Sequence, residues 1–381
     1  MKIKELKAFK IEDSRGNPTI GIIVNNEKSS APFGKSTGKF ETPPYRDSLE
    51  WNVRALNYVK FNFEINSVSD LEKVEAHICN KFGLDAPKEF GANGLYALEA
   101  AILKALARSQ KKELWQVIGP KISHPRIPIP VGNIIGGGMH SHGKNHPTFQ
   151  EFLIIPKSRS ISENCKIMKE MHKKLKKHLK SGRLNDEGAI ETSLDEESIL
   201  SLLSHFSGDI RIGLDIAASS FYRSGSYFYN KKALSREEQI GYVNSLIKRF
   251  NLFYIEDPLA EEDFSGFSGI FRDAGHLVVG DDLTATQIPR LKKAIANHSI
   301  NALIIKPNQN GSILEILAIA ELCRKNKIKM AVSHRSGETL DTFISDLAVG
   351  IQADLIKAGI ETKWREAKLR RLIEIESSFA K

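Results

Sequence analysis

The chain has 381 residues, 41% of them hydrophobic and 27% charged, which excludes a disordered chain and, at roughly 150 residues per domain, predicts two or three domains. No run approaches the ~18 apolar residues of a membrane-spanning helix, and the opening MKIKELKAFKIEDSRGNP lacks the apolar stretch of a secretory signal. Cys79, Cys165 and Cys323 are far apart and form no CxxC pair, so a disulfide framework and a cysteine zinc site are not expected, and a reducing cytoplasm fits. The net charge of +9 bears on solubility and the steering of anionic ligands, not on fold.

Ile3 to Val24 alternates like a pair of strands, with a turn at Ser14-Arg15-Gly16-Asn17-Pro18. A Gly/Ser-rich loop follows, then helices. In one of them Asn93 can act as the cap while Leu95, Leu98, Ile102 and Leu106 share a face. The segment PRIPIP (125–130) reads as a linker or an edge, since each proline lacks an N–H for a sheet ladder. The change of character there predicts a first domain over 1–124 and a second over 125–381. The lysine-rich run His172 to Lys180 follows Met168 and Met171 and contains Leu175 and Leu179 at helical spacing, which predicts an amphipathic helix with a solvated lysine face. It has no interleaved aromatics, so nucleic-acid binding is disfavoured.

Beyond residue 205, short apolar runs end in polar residues, and most are followed by a helical stretch. The runs are 210–215, 253–256, 277–281, 302–306, 330–334 and 354–357, and they end in Asp215, Glu256, Asp281, Lys306, His334 and Lys357. The last five ends are 25, 25, 28 and 23 residues apart, a period that fits the strand–helix unit of a (β/α) barrel. In such barrels the site lies at the C-terminal ends of the strands, so all six residues converge on one mouth.

Three carboxylates gathered there would repel one another and raise one another's pKa, and a cation resolves the conflict. All-oxygen ligands point to a hard ion, Mg²⁺ before Zn²⁺. Lys306, on the next strand, would have its pKa lowered by that charge and so be prepared as a general base. Lys357, His334, Arg335 and Ser336 would complete a cationic rim for a phosphate or carboxylate. A lysine base beside Mg²⁺ suits proton abstraction next to a carboxylate.

The chain also carries, in order, DSRGNPT (13–19), GKSTGKFE (34–41), GANGLYALEAAILKA (91–105), NIIGGGMH (133–140), QEF (150–152), NDEG (185–188), GLDIAASSFY (213–222), IEDP (255–258), GDDLTAT (280–286), KPNQNGS (306–312) and SHRSGET (333–339). Over nearly its whole length it resembles the enolases, a superfamily whose known design pairs a lysine base with Mg²⁺. The resemblance implies an α/β fold, with an N-terminal α+β capping domain followed by a C-terminal (β/α)8-type TIM barrel. It implies reversible dehydration of 2-phosphoglycerate to phosphoenolpyruvate. Lys306 matches the base that takes the C2 proton, Glu187 the acid assisting loss of the C3 hydroxyl with Glu151 alongside, and His140 the substrate-site histidine. Asp215, Glu256 and Asp281 match the ligands of the tighter Mg²⁺. Ser36 matches the loop serine that helps hold a second Mg²⁺ once substrate is bound. Gln150 and Lys357 match substrate contacts, and Arg335 and Ser336, next to His334, match phosphate contacts. A cytoplasmic, glycolytic homodimer or larger homo-oligomer is implied.

Several positions depart from the common enolase pattern. Lys35 adds a charge to the loop expected to close over a phosphate, and the neighbouring G-K-S imitates a P-loop ending but has Ser29 where that motif needs glycine. The segment from Asn133 to Glu151 is longer than usual, so either His140 or His142 can fill the histidine role. His140, His142 and His146 together resemble a transition-metal cluster but lack a cysteine or a helical i, i+4 pair. Ala189 follows NDEG, residues 358–366 differ from the usual pattern, and the stretch between Asp215 and Glu256 is shortened. A related acid-sugar dehydratase and a binding or scaffold protein are the competing readings. SHRSGET and the Ser36 loop argue against the first, and the intact base and metal ligands argue against the second.

Overall fold

The structure is a computed structural model, and it describes residues 1–35, 38–141, 146–206, 208–230, 232–270 and 275–379. The alternating opening forms an antiparallel sheet of β1 (Leu6–Glu12), β2 (Pro18–Val24) and β3 (Glu27–Ser30), paired in that order. The turn between β1 and β2 is held by Asp13, whose Oδ1 accepts the N–H of Arg15 at 2.8 Å and of Asn17 at 2.9 Å. The sheet packs against helix Ala92–Gln110, burying Ile20, Ile22 and Val24. Nearly every residue of that helix from Ala92 to Ala107 is buried, as expected for a helix lying inside the protein. Asn93 does not cap it. Gly91 precedes the helix, and the Asn93 carbonyl instead accepts from Asn308 at 3.1 Å, joining the helix to the barrel.

Eight strands close the barrel: β4 (Ile129–Gly136), β5 (Glu151–Pro156), β6 (Ile210–Asp215), β7 (Tyr254–Glu256), β8 (Leu277–Gly280), β9 (Ala302–Ile305), β10 (Lys329–Ser333) and β11 (Leu355–Lys357). Each pairs with the next, and β11 pairs with β4. Val131, Leu153, Ile155, Tyr254, Val279, Ala302, Ile304, Ala331 and Leu355 form one buried cluster, the packed interior of the barrel. All six runs read beyond residue 205 are strands.

The barrel departs from an all-parallel ring at one strand. β5 runs antiparallel to both neighbours, so its first residue, Glu151, stands level with Asp215, the last residue of β6. A carboxylate from the start of one strand therefore reaches the mouth formed by the ends of the others.

The reading of PRIPIP as a linker or edge is corrected, because Pro130 lies within β4 opposite Ile356 in a closed barrel. Ile129 N–H bonds Asp354 on the β11 side. The missing N–H of Pro130 therefore faces β5, where pairing begins only at Gly132. Helix Ile161–His178 buries Met168, Met171 and Leu175, as its spacing predicts, and ends before Leu179. No helix among the described residues is long and apolar enough to cross a membrane.

Candidate active site

One cavity at the mouth is lined by Lys306, Glu187, Glu151, His140, Gln150, His334, Arg335, Ser336, Lys357, Asp215 and Asp281, every expected residue except three. Glu256 lies beneath the cavity at 0% exposure. Ser36 and His142 lie outside the described residues.

The floor holds carboxylates and ammoniums in alternation. Lys357 was expected on the rim, but it is buried on the floor. Its Nζ is 2.8 Å from Glu151, 3.0 Å from Asp215 and 3.0 Å from Glu256. Glu256 also accepts from the Tyr254 hydroxyl at 2.7 Å, and Asp215 from Gln150 at 3.3 Å. Burial and the charge of Asp215 push Glu256 well above the usual carboxylate range, although Lys357 opposes the shift.

Lys306 pairs with Asp281, which follows the neighbouring strand. Burial is the largest single influence and disfavours its ammonium form, yet with Asp281 and then Glu256 acting against burial the pKa stands above the ordinary lysine value. The expected lowering belongs to a site with a cation next to the lysine; here the nearest charge is a carboxylate, which acts in the opposite direction.

The expected trio of Asp215, Glu256 and Asp281 does not form a single tight cluster, because Lys357 bridges two members and Lys306 holds the third. Among the described residues, two groups have potential ligand atoms within 4.8 Å of one another, His140–Glu151–Glu187 and Asp257–Asp281–Asp282. Asp257 uses both oxygens on backbone N–H groups, of Asp281 at 3.0 Å and Asp282 at 2.6 Å, so it positions the turn that carries them. Burial and the charge of Asp281 raise Asp282 to about 7.

The donor set fits a hard cation. Asp281 Oδ1 is buried with no hydrogen-bond partner among the described residues, and the ammoniums of Lys306 and Lys357 lie against these carboxylates where a divalent ion could replace them.

On the opposite side of the mouth, His140 Nδ1 is 3.3 Å from Glu151, and Asn133 donates to Glu187 at 3.3 Å. Burial raises Glu151 above its ordinary value, with Glu187's charge adding and Lys357 opposing. Burial also acts against the charge of Glu187, but the surrounding positive charge, Arg365 and Lys357 within it, prevails and holds its pKa well below the usual range. Two neighbouring carboxyls are thus pushed in opposite directions, as in sites that divide proton donation from charge stabilisation.

The rim joins the two ends of the chain. Phe33 and Gly337 exchange backbone hydrogen bonds of 2.8 and 2.9 Å. Arg335 forms a fork with Glu41, at 2.8 Å to Oε2 and 3.1 Å to Oε1. A Cβ on Gly34 would stand 2.0 Å from the Arg335 guanidinium, so only glycine admits the arginine there. The N–H of Lys35 donates to Ser336 Oγ at 2.6 Å, and its ammonium reaches the Met139 carbonyl at 3.2 Å.

Sequence reasoning gave no role to Glu41, Asp257 or Asp282, although all three lie inside motifs it quoted. Arg365 had no signal of its own, because it is one of several basic residues in helix Lys363–Ser378.

Residues 3–118 match the family model "Enolase, N-terminal domain", and residues 124–381 match "Enolase, C-terminal TIM barrel domain". The chain is 35% identical over 398 residues to an Enolase of Natronomonas pharaonis, covering 99% of each chain. It is 37% identical over 411 residues to an Enolase of Sulfurisphaera tokodaii, covering 99% of this chain and 96% of the other. An Enolase of Ureaplasma parvum serovar 3 is 35% identical over 427 residues, covering 100% and 97%. The chain belongs to the enolase family of lyases.

Proposed function

We propose that the chain catalyses the reversible, Mg²⁺-dependent dehydration of 2-phosphoglycerate to phosphoenolpyruvate, in glycolysis and gluconeogenesis. The observation that carries this reading is that Lys306 and the Glu151–Glu187 pair line one cavity with Asp215 and Asp281. Asp215, Glu256 and Asp281 would hold the ion, which supplies positive charge for the negative charge that builds up at the substrate carboxylate. Lys306 Nζ, in its neutral form, takes the C2 proton and becomes the ammonium, which Asp281 then faces. Glu187 assists departure of the C3 hydroxyl, and Glu151, the carboxyl of the pair that keeps its proton more readily, stands next to it as proton source. Arg335 and Ser336 bind the phosphate, with Gln150, His140 and Lys357 contacting substrate. Ser36 would help hold a second Mg²⁺ once substrate is bound. The family resemblance supports two domains meeting near residue 124, a homodimer or larger assembly, and a cytoplasmic setting.

The test is phosphoenolpyruvate formation from 2-phosphoglycerate with and without Mg²⁺, for the wild type and Lys306→Ala. The wild type turns over only with the metal. Lys306→Ala loses about 10²–10⁴-fold or more, the usual contribution of a positioned base, while its circular dichroism spectrum is unchanged. Near-wild-type turnover by the variant removes Lys306 as the base. No product from folded, metal-loaded wild type removes the substrate assignment.

A further inference from the structure

Arg365 is 0% exposed, yet among the described residues no carboxylate lies within hydrogen-bonding distance of its guanidinium. Its nearest carboxylate is Glu187, with Oε1 at 3.7 Å. Its N–H groups are spent on other acceptors. Nε donates to His334 Nδ1 at 3.1 Å. One terminal nitrogen reaches the Asp186 carbonyl at 3.3 Å and Thr362 Oγ1 at 3.3 Å. The other reaches the carbonyls of Arg335 at 3.3 Å and Ser336 at 3.2 Å. The fold clears a path for this side chain, because a Cβ on Gly359 would stand 2.4 Å from Arg365 Cδ, and Gly359 has φ +74°, where a side chain is strained.

A guanidinium is always charged and can only donate. Facing one, His334 Nδ1 must be an acceptor, so a neutral ring carries its proton on Nε2. That nitrogen faces Glu187, with Oε2 3.9 Å away. Protonating Nδ1 as well would set two donors against each other. The charged groups acting on the ring are Glu187, Arg365, Lys357 and Lys368, and the three cations oppose a further proton. The same guanidinium ties together the two loops that carry Glu187 and Arg335. A lysine ammonium cannot reproduce a planar fork spread over these acceptors.

We propose that Arg365 is a positioning residue for the dehydration site, fixing His334 as the Nε2–H tautomer and holding the Glu187 and Arg335 loops in register. The proposal rests on the functional reading above for its kinetic consequence, but its tautomer is measurable without turnover.

The experiment combines steady-state kinetics of Arg365→Lys and Arg365→Met with ¹⁵N-histidine NMR. The His334 signals are assigned by their loss in His334→Gln. In the wild type, His334 Nδ1 is expected unprotonated and Nε2 protonated, with no titration across the stable pH range. In both Arg365 variants kcat is expected to fall about 10²-fold, the cost of a catalytic group displaced by roughly an ångström. KM changes far less, and His334 begins to titrate. A wild-type His334 protonated on Nδ1 overturns the proposal whatever the variants do. So does an Arg365→Lys variant with wild-type kcat and an unchanged His334 spectrum. If Arg365→Met fails to fold, Arg365→Lys and the wild-type spectrum decide the matter. Absence of turnover in the wild type counts against the functional reading alone, and the tautomer spectra still decide this one.

Discussion

Replacing Lys357 by methionine keeps most of the side-chain volume and removes one positive charge from the floor of the barrel mouth. Glu151, Asp215 and Glu256, each at most 4% exposed at the side chain, then face one another without the ammonium that lies 2.8–3.0 Å from all three. Removing one partner from a buried ion pair costs about 3–5 kcal/mol. At about 2.1 cal/mol/K per residue, unfolding 381 residues has an entropy near 0.8 kcal/mol/K, so Tm should fall by about 4–6 °C.

The deficit also has a sign in pH. Without Lys357, Glu151 and Glu256 lose the charge that opposes their upward shifts, so the folded variant binds protons that the unfolded chain does not. Its stability is fullest below the ordinary carboxylate pKa and is lost as pH rises through the raised values. Differential scanning calorimetry of both proteins at about pH 5 and about pH 8, with and without Mg²⁺, reads both effects. The deficit should be larger at the higher pH and should shrink with Mg²⁺, which restores positive charge to the same oxygens. A variant within about 1 °C of wild type at the higher pH without metal, or a deficit independent of pH, refutes the reasoning.

Tyr254→Phe removes the hydroxyl that donates to Glu256 at 2.7 Å, and loss of such support for a metal ligand typically weakens binding about 10–100-fold. Isothermal titration with Mg²⁺ checks this, and an unchanged affinity would separate Glu256 from the ion. Glu99 is buried on helix Ala92–Gln110, accepting the Ile313 N–H at 2.6 Å, with Glu75 next to it and Glu315 and Glu72 close to Glu75. Burial, then the charge of Glu75, holds its carboxyl well above the usual range. The stability this confers is therefore complete below about pH 4.3 and declines as pH rises toward the raised value. Glu99→Gln should flatten that decline in urea titrations taken across pH, and an undiminished slope would show that Glu99 does not carry it.

The barrel and most of its mouth were legible because an apolar run ending in one polar residue is a local pattern, repeated six times from Asp215 to Lys357. The direction of β5 was not legible, since a strand reads the same in both orientations and only its partners β4 and β6 fix its sense. Asn93 has the right chemistry for a cap, but a tertiary contact with Asn308 claims its side chain. Pro130 read as an edge because the rule concerns a missing N–H, and only pairing shows which side that gap faces. The residue types at the metal-binding floor were legible, but the place of Lys357 among them was not. Three carboxylates imply a neutralising charge without saying whether an ion or a lysine supplies it. Arg365 was hidden for a related reason, as its partners are mostly backbone carbonyls that no sequence pattern marks.

The fork between Glu41 and Arg335 and the backbone exchange between Phe33 and Gly337 also bear on how the protein is made. A ribosome releases Glu41 about 300 residues before Arg335, and Arg365 later still. At roughly 5–20 residues per second the earlier half of the pocket waits some tens of seconds for its counterpart. The opening sheet can form locally in that interval, but Glu41 has no guanidinium to meet and remains in water. Nascent chains stalled before Arg335 should therefore bind no substrate however well their first strands have folded.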